Sequence, residues 1–173
     1  MNPPGRENPI MKTGLGSVAV LLFATVALAE DLKNVTISKE GVAVVTIRAP
    51  QSAKVTTDKE KTVIDTKDMV LDLWVVPKAK TVAAAITGLD DVIKSEVLKF
   101  SAASTEAITV AKAEGKHLKG KGLEADDQDP ATVDVVVFKV GKTVFVACVH
   151  GEGQAAVRQR QPMLNALKTV KAP

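Results

Sequence analysis

The chain has one cysteine, one tryptophan and no tyrosine. A single thiol closes no intrachain disulfide, so the fold must be held by its apolar core. Aromatic residues make up 3% of the sequence, too few to build a stacking platform for nucleic-acid bases. Neither sign of charge dominates: 23 Lys and Arg stand against 20 Asp and Glu. The resulting +3 is spread along the chain and makes no field of the kind that holds nucleic acid. Histidine is scarce too. His117 and His150 are the only two, and no CxxC, HxH or HExxH spacing marks a metal centre. The glycine patterns of serine hydrolases and nucleotide-binding loops are absent as well.

One long apolar run is present, between Val18 and Ala29. Met11 and Lys12 precede it, and Ala27-Leu28-Ala29 closes it just before Glu30-Asp31. A positive start, a short apolar stretch and a small-x-small ending are the layout of a secretory signal peptide cleaved after Ala29. The run is shorter than the roughly 20 residues that cross a bilayer, so no stable span is expected after cleavage. Residues 1–10 are polar and proline-bearing. A translation start at Met11 accounts for them; an extended n-region is the alternative. Cleavage removes Arg6, Lys12 and Glu7, which takes the net charge from +3 to +2. The expected mature chain is a single secreted or periplasmic domain over residues 30–173.

Within that domain, β-branched runs read as strands. They are Val42–Arg48, Ser52–Asp58, Lys61–Thr66 and Met69–Val76, the last stopped by Pro77. The period then changes. Val82, Ile86, Leu89, Ile93 and Val97 fall on one helical face across Lys80–Val97. Gly88 weakens the middle of that helix by ~1 kcal/mol relative to alanine. Two strands follow, at Val97–Ser104 and Glu106–Ala113, then a more exposed one at Gly115–Ala125. Asp126–Pro130 reads as a loop. Thr132–Val149 reads as a hairpin turning at Val140-Gly141-Lys142. Both of its arms are apolar at consecutive positions, so both faces should be covered and the hairpin should be central. A final helix over Gln154–Lys171 carries Met163, Leu164, Leu167 and Val170 on one face. Pro162 either kinks it or starts it.

This order of a strand group, one helix, a meander from His117 to Val149 and a closing helix at Met163–Val170 resembles the superfamily of PsbP-like, DcrB-like and Ran-binding import-factor proteins. The resemblance spans residues 41–171 and lies in element order, without a diagnostic motif. It implies an α+β fold in which an antiparallel β-sheet is flanked by helices in a three-layer α/β/α sandwich. It also implies a non-enzymatic accessory, binding or envelope role, and it maps no site residue onto this chain.

The candidate site residues come from the side chains themselves. Cys148 and His150 share a strand face, and a nucleophilic pair would need hydrogen-bond reach and a partly exposed thiol. The apolar run around Cys148 favours a buried small hydrophobe instead. Gly151 and Gly153 stand at a strand-to-helix corner where free N–H groups could meet an anion, or simply make a tight turn. Asp126, Asp127 and Asp129 supply oxygen ligands but lack the glycine and distal acid of a calcium loop. Arg158 and Arg160 read as exposed charges. Trp74 is expected in the core or as the wall of a ligand cavity between sheet and helix.

The sequence therefore points to a secreted or periplasmic module without cofactor, metal or catalytic residue, whose partner is a protein or an envelope component. A small hydrophobic-ligand binder built around Trp74 is the second reading. An enzyme using Cys148 and His150 is the third. The oligomeric state stays open.

Overall fold

Residues 31–39, 42–59 and 61–172 are described in the computed structural model. The expected signal peptide lies outside these described residues. The chain opens with an antiparallel pair, β1 (Leu32–Lys39) and β2 (Val42–Pro50). Three strands follow: β3 (Lys54–Thr57), β4 (Lys61–Asp65) and β5 (Val70–Val75). Helices α1 (Val82–Thr87) and α2 (Leu89–Ile93) lead to β6 (Val97–Val110), β7 (Ala113–Glu124), β8 (Pro130–Val140) and β9 (Thr143–Glu152). Helix α3 (Gly153–Lys168) closes the fold.

Seven strands form one antiparallel sheet in the order β3-β4-β5-β9-β8-β7-β6. The β8–β9 hairpin lies inside it, as its two-sided apolar runs require. Val133, Val135, Val137, Val144, Val146 and Cys148 enter one buried cluster with Trp74, Ala85, Leu89 and Ile93. Val136, Phe138, Phe145, Ala147 and Val149 enter another, with Met163 and Leu167 of α3 and with Val45 and Ile47 of β2. Successive strand residues point to opposite faces, so these clusters occupy the two sides of the sheet. Burying one such side chain contributes ~1.5–3 kcal/mol. Phe138 and Phe145 face each other in register and stack at 5.2 Å.

Three details differ from the sequence reading, each for a local reason, and one open alternative is decided. The polar start contains a strand, because Val35 and Ile37 alternate inward and pair with β2. The single expected helix is two: Gly88 ends α1, its N–H returning to Ala84, and α2 restarts at Leu89. Val97 has already left the helix and opens β6. The two expected strands at 97–113 are one long edge strand, bent by irregularities at Leu98/Ser101 and Ala102/Ser104. Such bulges discourage edge-to-edge pairing. Pro162 sits inside α3, which begins well before it. The lost hydrogen bond is offset by burial of Met163, Leu164 and Leu167 beyond the proline.

Candidate functional site

Two acids stand in the middle of otherwise apolar strands: Asp72 in VLDLWV of β5 and Asp134 in β8. Both are fully buried. A buried carboxylate is tolerated only when paired and hydrogen-bonded, and each anchors an ionic cluster on its own face of the sheet.

On the face covered by α1 and α2, His150 donates through Nε2 to Asp72 Oδ2 at 2.7 Å. Through Nδ1 it donates to Glu124 at 2.8 Å. Burial would lower the His150 pKa, but the hydrogen bonds and charges of Asp72 and Glu124 outweigh it and raise the value to about 9. The ring is thus an imidazolium at neutral pH. Lys61 stands 3.5 Å from Asp72 Oδ1 and 2.5 Å from Glu96 Oε1. It also lies over the ring of Trp74 at 5.8 Å, its cross-strand neighbour. Asp72 Oδ1 makes no hydrogen bond.

On the α3 face, His117 Nε2 donates to Asp134 Oδ1 at 2.6 Å. Arg160 grips the same carboxylate through Nη2 at 2.8 Å and through Nε. Burial alone would raise the Asp134 carboxyl; the hydrogen bonds from His117 and Arg160 hold it below its ordinary value. Beside this cluster runs a groove of about 530 Å³ between α3 and the β6–β7 edge. Ile108, Val157 and Leu164 form its apolar strip, and Lys119, Arg160 and Lys168 line its walls. Val157 is 50% exposed, and Gln154, Gln161 and Lys168 on the same side of the helix are exposed with it.

The residues singled out from sequence take different places. Trp74 belongs to the core and is 8% exposed. Its accessible edge meets an open depression of about 670 Å³ lined by Asp58, Lys59, Lys61, Ser95 and Glu96. Cys148 is buried, and its thiol is pushed well above the usual value by desolvation and nearby acids. His150 uses both ring nitrogens on carboxylates, so no lone pair remains to take the Cys148 proton. Gly151 is a packing position: a Cβ there would lie 2.8 Å from the Asp68 carbonyl and 3.0 Å from Ala156. Gly153 has φ +66° and opens α3. Acids ring this corner, and the Glu152 carboxyl is raised by desolvation and by repulsion from Asp127, Asp129, Glu124 and Asp126. Asp126 and Asp127 accept backbone N–H bonds within their own turn, which accounts for that acidic loop. Arg160, expected as an exposed charge, is instead bonded to buried Asp134; Arg158 is exposed as expected. Both clusters were missed because their members are far apart in sequence. The available signal was an acid flanked by apolar residues in a strand covered on both sides.

No family model matches the chain, and no curated protein matches it. Solved structures do. Cyanobacterial PsbP (CyanoP) from Synechocystis sp. PCC 6803 superposes with a TM-score of 0.58 at 13% identity, over 92% of this chain and 99% of that one. The Saccharomyces cerevisiae Ran-binding protein Mog1p gives 0.54 at 10% identity, over 83% and 96%. The fold is PsbP-like. At these identities the likeness concerns the backbone, and the PsbP-like frame of this chain carries its own side chains at Asp72, His150, Asp134 and Arg160.

Proposed function

We propose that this chain is a non-enzymatic protein-interaction module of the cell envelope or the exterior, exported by the signal peptide that ends at Ala29. The observation that carries this reading is the α3 groove. An apolar strip there is left open; of the cations on its walls, Lys119 is paired with Glu106 and Arg160 with Asp134, which leaves Lys168 without a carboxylate partner among the described residues. Open apolar surface rimmed by polar groups marks a contact site. Lys168 on the rim favours a partner segment that carries an acidic side chain beside its apolar ones. The PsbP-like frame supports the reading, since Mog1p, of similar fold, is a Ran-binding protein. The two apolar clusters on opposite faces of the sheet support a helix-flanked, three-layer arrangement. The buried state of Cys148 and the double engagement of His150 argue against the nucleophilic alternative.

The test is affinity capture with residues 30–173 from envelope and culture fractions of the source organism, run beside a Val157→Glu variant. A partner recovered by the parent and lost by the variant is expected. Recovery of the same proteins by both would sink the groove as the contact surface.

A further inference from the structure

We propose that Asp72, Glu96 and His150 form a binding site for a divalent transition metal of the zinc class. The three ligand atoms come from β5, the turn after α2, and β9, yet all lie within 4.8 Å of one another. The donor set is one imidazole nitrogen and two carboxylates, which suits zinc better than the all-oxygen cages of calcium or magnesium.

Two further observations point to a cation. Asp72 is fully buried, and its Oδ1 accepts no hydrogen bond; it has only a long ion pair to the Lys61 ammonium, at 3.5 Å. A buried acceptor held only by so long a contact is under-satisfied and has room for a closer cation. Secondly, Glu124 holds Nδ1 of His150, so Nε2 is turned toward Asp72. A carboxylate behind a histidine is the outer support that metal-ligating imidazoles have.

In the metal-free form, the Lys61 ammonium and the proton on His150 Nε2 balance the acids. A divalent cation replaces both positive charges at once. The proton leaves to solvent, and Lys61, whose side chain is 22% exposed, swings out. Its exit is the depression beside Trp74, which Glu96 also lines. That depression leaves a coordination position open to water or to a donor from another molecule.

The experiment titrates the intact, metal-stripped chain with zinc chloride by calorimetry while Trp74 emission is recorded. Cobalt chloride provides the ligand-field spectrum. One zinc per chain is expected, with an emission change that saturates at one equivalent because Lys61 leaves the indole. Glu96→Gln should weaken binding at least tenfold. Lys61→Met should strengthen it at least tenfold, since the competing ammonium is gone; a purely structural role for Lys61 gives no such gain. Asp127→Asn, in the separate exposed acidic group, should change nothing. Three results would overturn the proposal: no saturable binding by the parent or Lys61→Met, equal binding of magnesium, or zinc affinity that follows Asp127 and ignores Glu96. If Glu96→Gln fails to fold, the gain in Lys61→Met decides.

Discussion

Removing the Asp134 carboxylate should destabilise the domain more than any surface charge change can. The acid is fully buried and accepts from His117 and from two nitrogens of Arg160. Asp134→Ala leaves the His117 ring N–H and the Arg160 guanidinium without their acceptor at the α3 interface. Breaking a buried ion pair from one side costs ~3–5 kcal/mol. The Arg160 side chain is 32% exposed and can turn partly to water, so the lower end, about 3 kcal/mol, applies. At about 3 °C per kcal/mol for a domain near this size, the melting temperature should fall by about 10 °C. Urea unfolding followed by the emission of Trp74, the only tryptophan, measures the difference. Arg158→Ala, an exposed change, should stay within about 0.5 kcal/mol. The pH dependence carries a sign. His117 and Arg160 depress the folded-state pKa of Asp134. Its contribution is therefore complete above the unfolded value of about 3.9 and is lost as pH falls through the lower folded value. The gap between parent and Asp134→Asn should be flat near pH 7 and shrink below about pH 4. An Asp134→Ala protein within about 0.5 kcal/mol of the parent would refute the pairing.

Other expectations follow from the same structure. Val136→Asp or Val146→Asp places an unpaired charge in the two-sided hairpin and should cost several kcal/mol; a cooperative melt near the parental temperature would contradict the central position of β8 and β9. Cys148 should react with a thiol reagent only after denaturant is added, because the group is sealed and its thiolate disfavoured; rapid labelling of the native protein would be the contrary result. Gly151→Ala should destabilise by ~1–3 kcal/mol, since its Cβ would press on the Asp68 carbonyl; an unchanged urea midpoint would show that the corner yields.

The parts of the fold that could be read from sequence are those where one physical rule acts alone. Consecutive apolar residues from Val135 to Phe138 and from Val144 to Val149 require cover on both faces, and both arms are buried inside the sheet. The 4-3-4 spacing of Val82, Ile86, Leu89 and Ile93 located the helical segment, and Gly88 marked its weak point, where it breaks in two. Less could be read where tertiary contacts decide. β1 has only Val35 and Ile37 buried along its described side chains, and its partner β2 makes it a strand. The sites were harder still. Asp72, Glu96, Glu124 and His150 converge through strand order, and that order is set by pairings such as β5 with β9, which run from Val70 with His150 to Val75 with Phe145 and so join residues far apart in the chain. Arg160 looked like a solvated charge because nothing local to α3 announces Asp134 across the interface.

The central claim is that the α3 groove receives a partner. A photo-crosslinking amino acid placed at position 157 in the groove, and separately at exposed position 78, tests it in living cells of the source organism. Ultraviolet light should yield a discrete crosslinked species from position 157 and none from position 78. Its yield should fall when Lys119 and Lys168 are replaced by glutamate. Absence of a crosslink at 157, or equal crosslinking at both positions, would contradict the interaction-module account.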